Sequence, residues 1–166
     1  MEPKFIAQAK PTMAGMRALV HAAYGRRLRS RVIASALVAA LAVGFLFWSG
    51  VKPFSLVILA LACAFLWFFA RAEGRMAQKL LAASPNQALV TEFRFMDDAL
   101  YTINSEEEGK TEYSAIVRVW ETKAFFAFYL ADGSAFAIPK SGFARGDVAR
   151  FGGFMKKVTG KETVEA

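Results

Sequence analysis

Two uncharged apolar runs, separated by five residues, constrain this chain more than any other feature. "VIASALVAALAVGFLFW" occupies 32–48 and "FSLVILALACAFLWFFA" occupies 54–70, with only "SGVKP" between them. As helices each spans roughly 25 Å at 1.5 Å per residue, close to the hydrocarbon thickness of a bilayer. A soluble helix of this length carries a polar stripe, and neither run has one. The reading is therefore a transmembrane helical hairpin over 32–70. Ser49 and Gly50 close the first helix, and Pro53 suits the first turn of the second. The first run starts at residue 32 and a second follows it, which is unlike a cleaved leader. Small residues at four-residue steps, Ala36, Ala40 and Gly44 facing Ala60 and Ala64, are the expected contact between the two helices.

Charge gives the orientation. Residues 1–31 hold seven Lys or Arg against Glu2, whereas 71–166 hold thirteen basic and thirteen acidic residues. The net charge of +7 thus sits beside the apolar segment. That is a membrane flank; a nucleic-acid surface would need a basic face on the folded domain, so no nucleic-acid partner is expected. Arg26, Arg27, Arg29 and Arg31 precede the first run, Arg71, Arg75 and Lys79 follow the second, and the connection has only Lys52. The positive-inside rule then puts both termini in the cytoplasm. The four N-terminal arginines are the expected membrane-surface residues. Residues 1–31 read as a basic amphipathic arm whose helix starts near Pro11, with Met13, Met16, Leu19, Val20, Ala23 and Tyr24 on one stripe. It lies either on anionic lipid or on the domain.

After the spans, 71–85 reads as a helical extension and linker, broken by Ser84, Pro85 and Asn86. From 86 the period changes to alternation. "TEFRF", "ALYTIN", "IVRVWET", "FFAFYLA" and "SAFAI" are predicted antiparallel strands, with "SEEEGK" a polar loop and Asp132-Gly133 a hairpin turn. "DVARFGGFMKKV" closes the domain as a helix, with Val148, Phe151, Met155 and Val158 on its apolar face and Asp147 at its start. Gly152-Gly153 implies a close approach of helix to sheet. The domain spans 86–159, and 160–166 is a tail. The fold class is α+β: a two-helix membrane hairpin, then a small antiparallel β domain with a terminal helix.

No catalytic constellation is evident. Cys63 and His21 are single, so neither a disulfide framework nor a Cys- or His-based metal site is expected. Glu106, Glu107 and Glu108 are a solvated charge run. No cofactor motif occurs. Phe126, Phe128 and Leu130 fall on one face of their strand, Phe125, Ala127 and Tyr129 on the other, so the strand needs two apolar neighbours. The second is the bent sheet itself, the membrane, a partner or a sister protomer. The expected function is a scaffold or regulatory protein-interaction module on a membrane anchor. The partners are the lipid bilayer and a protein or second copy, met through the domain or the hairpin. An enzyme of unrecognised type and a lipid-surface module are the alternatives.

The residues "F…D…L…Y…EYSAI…V.ET…FYLADG.AFAIPK.GF" resemble the YcxB-like family of bacterial membrane proteins. The motif positions are Phe95, Asp98, Tyr113 to Ile116, Val119, Glu121, Phe128 to Leu130, Ile138, Pro139, Lys140 and Phe143, over roughly 30–158. Tyr113 stands where the family often has tryptophan. The resemblance implies a bacterial inner-membrane location and a pleckstrin-homology-like domain, and no activity, cofactor or ligand. The residues themselves make "IPKSGF" a structural corner. Pro139 ends the last strand, Phe143 is buried, and Lys140 keeps its charge in water.

Overall fold

The computed structural model describes residues 2–49, 53–84 and 88–165. The Gly50–Lys52 connection and the Pro85–Asn86 break lie outside the described residues. The chain forms two compact units: Met1–Ala23 with Ala77–Ala166, and Tyr24–Met76.

The first unit begins with a strand, β1, Phe5–Ala9. The helix α1, Met13–Ser49, follows at once. Thr12 starts it, its hydroxyl accepting from the Gly15 N–H at 3.1 Å, so the helix begins just after Pro11. The helices α2, Pro53–Ala70, and α3, Ala72–Ala83, come next. The remaining strands are β2 (Thr91–Phe95), β3 (Ala99–Ile103), β4 (Glu108–Glu112), β5 (Ile116–Glu121), β6 (Phe125–Leu130), β7 (Ala135–Pro139) and β8 (Phe143–Arg145). Helix α4, Val148–Thr159, and strand β9, Thr163–Glu165, end the chain's described part.

The strands make two sheets, β4-β3-β2-β1-β8 and β7-β6-β5-β9. All pairings are antiparallel except β5 with β9. The core lies between the sheets and α4, where Phe5, Phe95, Leu100, Val119, Phe126, Phe128, Ile138, Phe151 and Met155 are buried. Phe151 is its hub, with ring centroids 4.7 to 5.2 Å from those of Phe5, Phe95, Phe126 and Phe143. Asp147 caps α4 by accepting from the Ala149 N–H at 3.0 Å, and Gly160 ends it in the left-handed region.

The sequence reading of the termini and strands differs from this in several places. Residues 1–31 are not a separate arm: β1 pairs with β2 on one side and β8 on the other, and the first turns of α1 pack on the same domain. The segment 160–166 is not simply a tail, because β9 extends the second sheet. The "SEEEGK" loop gives up Glu108, Gly109 and Lys110 to β4, a polar edge strand with no hydrophobic alternation to betray it. Phe143, expected to be buried, is only half-buried, because it opens the edge strand β8.

The two-faced strand β6 also finds its second neighbour. Phe126 and Phe128 face the core, while Ala127 and Tyr129 join Trp120 against Met16, Leu19 and Ala22 of α1. The Tyr129 hydroxyl donates to the Leu19 carbonyl oxygen at 2.9 Å. The aromatic face is thus covered by the chain's own helix.

Helix α1, which runs from the first unit into the second, is over Met13–Phe45 long and apolar enough to cross a membrane, and little of its apolar window is buried. Leu56–Ala70 and Ala72–Ala83 pass the same test of length and apolarity as a pair, across a 41° bend. The less exposed positions of α1 are Leu28, Val32, Ser35, Ala39 and Ala42; those of α2 include Leu59, Ala62, Leu66 and Phe69. Ala36, Ala40, Gly44, Ala60 and Ala64 are exposed, so the small-residue faces expected to meet point outward. Steps of four and three on α1 are the seam of a left-handed helix pair, which the four-residue alanine count misses.

Candidate functional site

The corner "IPKSGF" is built against β1. Ile138 is fully buried, and Pro139 ends β7 opposite Phe125. A single 3-10 turn, Lys140–Gly142, then turns the chain into β8. A Cβ on Gly142 would lie 2.2 Å from the Gln8 carbonyl oxygen, a backbone atom that cannot yield. Gly142 is therefore required by the passage of β1, not by turn geometry alone. Phe143 is half-buried and meets Phe5, Phe126 and Phe151 edge to face.

Lys140 departs from expectation. Its Nζ lies 2.6 Å from Glu121 Oε1 and 5.0 Å from the centroid of the Phe126 ring, and its side chain is only 26% exposed. The Lys140 backbone N–H donates to Ala124 O at 2.8 Å, which holds the stem over the end of β5 where Glu121 sits. The charge is thus met by a carboxylate and a π face instead of water. On the other side of Glu121, a Cβ at Gly152 would lie 3.4 Å from Oε2, while nothing lies within 4 Å of one at Gly153. The helix approaches the sheet at the first glycine alone.

Tyr113 opens a 3-10 turn before β5 and is buried; its hydroxyl donates to the Met96 carbonyl oxygen at 2.6 Å. Burial, then the negative charges of Asp98 and Asp97, push its phenol above the usual value near 10. Ile116 is fully buried. The motif residues Tyr113, Ile116, Glu121, Ile138, Pro139, Lys140 and Phe143 are thus spread over the core and the corner, without converging on one concavity.

The carboxylates do not converge either. The Glu106 and Glu107 N–H groups both donate to Asn104 Oδ1, and Glu108 lies opposite Ile103. Among the described residues no three His, Cys, Asp or Glu come together as a metal would need. Cys63 is exposed on α2. Arg26, Arg27, Arg29 and Arg31 are all exposed on α1, and Arg31 lies 5.9 Å from the centroid of the Phe69 ring.

One concavity lies within the first unit, where β1 leads into α1. It measures about 200 Å³, with Ala9, Gly15, Met16, Phe93 and Phe136 as an apolar floor and Lys10, Thr12, Ser84 and Thr91 as polar lining. Phe93 and Phe136 stack at 5.0 Å beneath it. Such a surface suits a small apolar group with a polar end. Sequence reasoning missed it because it depends on β1. The alternation of "FIAQA", ended by Lys10-Pro11, was the available signal, weakened by two alanines.

Fold and site together define a helix-bearing α+β protein whose β domain is sealed by a C-terminal helix. The YcxB-like protein family model matches residues 95–155, from the last residue of β2 into α4. That similarity covers the corner but not β1, β9 or the apolar helices. No curated protein and no solved structure matches the chain.

Proposed function

We propose that this is a two-span integral protein of a bacterial inner membrane, with both termini cytoplasmic. Its pleckstrin-homology-like β domain serves as a scaffold or regulatory interaction module, not as an enzyme. The observation that carries the membrane part is a parity. Strand β1 is hydrogen-bonded between β2 and β8. Residues 5–9 and 91–145 therefore share one compartment, and whatever lies between them crosses a bilayer an even number of times. One crossing by α1 demands a return, and α2 is the apolar segment that can make it. The basic flanks of both helices favour the cytoplasm for the domain. Two sheets closed by a terminal helix support the pleckstrin-like description.

The module reading is supported by the motif side chains, which are engaged in packing and pairing. Lys140 is held by Glu121 and Tyr113 by Met96, which leaves the concavity beside Lys10 as the place for a partner's apolar side chain. The test is cysteine labelling in intact cells with an impermeant reagent, in a Cys63→Ala background. Lys52→Cys should label from outside and Glu107→Cys should not. Labelling of both, or of Glu107→Cys alone, defeats the topology. Crosslinking in native membranes should then capture a protein partner through the domain. A turnover abolished by one polar substitution in the domain would replace the module by an enzyme.

A further inference from the structure

At the charged end of α2, arginines and aromatic rings form one contiguous series within the second unit. Arg31 of α1 lies 5.9 Å from the centroid of the Phe69 ring. Phe69 meets Phe68 edge to face at 5.6 Å. The Arg75 guanidinium lies 4.1 Å from the Phe68 ring and 5.9 Å from the Trp67 ring, and that of Arg71 lies 4.6 Å from Trp67. Arg75 also donates to the Phe68 carbonyl oxygen. Glu73 is the one acidic residue in Tyr24–Met76, so this series lies in a strongly basic part of the chain.

A guanidinium lying over a ring can still direct the N–H donors of its planar fork toward an anion. Guanidinium is weakly hydrated, and its fork of donors matches a phosphate bidentately. Aromatic rings favour the headgroup level of a bilayer. We infer that Arg31, Arg71 and Arg75, on the shelf of Trp67, Phe68 and Phe69, form a binding site for the phosphate of an anionic phospholipid. The inference rests on the membrane reading above and goes beyond it. It assigns selectivity for an anionic lipid to one set of arginines, whereas the excess of charge on the N-terminal flank would attract any anionic surface.

The test uses the full chain in phosphatidylcholine nanodiscs with a minor fraction of phosphatidylglycerol, and counts the retained lipid by native mass spectrometry. Wild type should retain phosphatidylglycerol over phosphatidylcholine by about tenfold or more, a modest demand if each basic residue near the surface contributes about a factor of five. Arg31→Gln/Arg71→Gln/Arg75→Gln should lose that preference. Arg26→Gln/Arg27→Gln/Arg29→Gln, which removes equal charge, should keep most of it. Equal loss in both variants would overturn the site in favour of diffuse charge. Displacement of the lipid by millimolar inorganic phosphate would overturn the lipid assignment in favour of a free anion. A triple Arg→Lys variant keeps the charge and should still lose part of the preference; full retention would refute the guanidinium geometry. Carbonate extraction separates the two readings. A chain that carbonate strips from membranes refutes the anchor, and an inserted chain with no lipid preference refutes this inference alone.

Discussion

Gly142 and Gly153 differ in what a single methyl would meet. Gly142→Ala drives a Cβ onto the Gln8 carbonyl and should cost at least about 2–3 kcal/mol, read as a fall in the melting temperature. Gly153→Ala faces open space in a helix and should stabilise by up to about 1 kcal/mol. Lys140→Ala breaks a partly exposed ion pair and should cost about 1 kcal/mol or less, whereas Phe151→Ala, at the hub of the rings, should cost about 3–5 kcal/mol. Tyr113 gives a pH dependence with a definite sign. Its folded pKa is raised, so its contribution is complete below the unfolded value near 10 and is lost as pH rises above it. Ultraviolet titration should show a tyrosine component that ionises only as the domain unfolds, and Tyr113→Phe should diminish it by one tyrosine.

Among the elements, the strands that alternate or are rich in aromatic residues were legible from their residues alone. "TEFRF", "FFAFYLA" and "SAFAI" became β2, β6 and β7, and the Val148, Phe151, Met155, Val158 stripe became the buried side of α4. What was not legible depends on partners distant in sequence. β1 has only Phe5 and two alanines to bury, and its place in the sheet is set by β2, some eighty-five residues later. β4 carries Glu108, Lys110 and Glu112 and is a strand because β3 offers it a ladder. The corner was foreseen as a corner, but the reason for its glycine lay in Gln8. It follows that 86–166 alone, lacking Phe5, Ala7 and Ala9 from the core, should show no cooperative thermal transition. A chain joining 2–23 to 77–166 through a flexible Gly/Ser linker should melt cooperatively, and calorimetry separates the two outcomes.

For the whole molecule, the pairing of β1 turns a question of domain folding into one of membrane topology. On the proposed membrane reading, the apolar segment leaves after β1 and returns before β2, so the sheet can form only if both of its ends lie on one side of the bilayer. The most direct measurement is a cross-strand disulfide in native membranes, again with Cys63→Ala. Gln8 and Glu92 are register partners on β1 and β2, a separation that suits a disulfide in an antiparallel pair. Oxidised Gln8→Cys/Glu92→Cys should form the intramolecular bond in nearly every chain. Gln8→Cys/Glu108→Cys, in register but three strand spacings apart at roughly 14 Å, should stay open. A Gln8→Cys/Glu92→Cys chain that stays reduced, with its two cysteines reached by impermeant reagents from opposite faces of the membrane, would contradict the account.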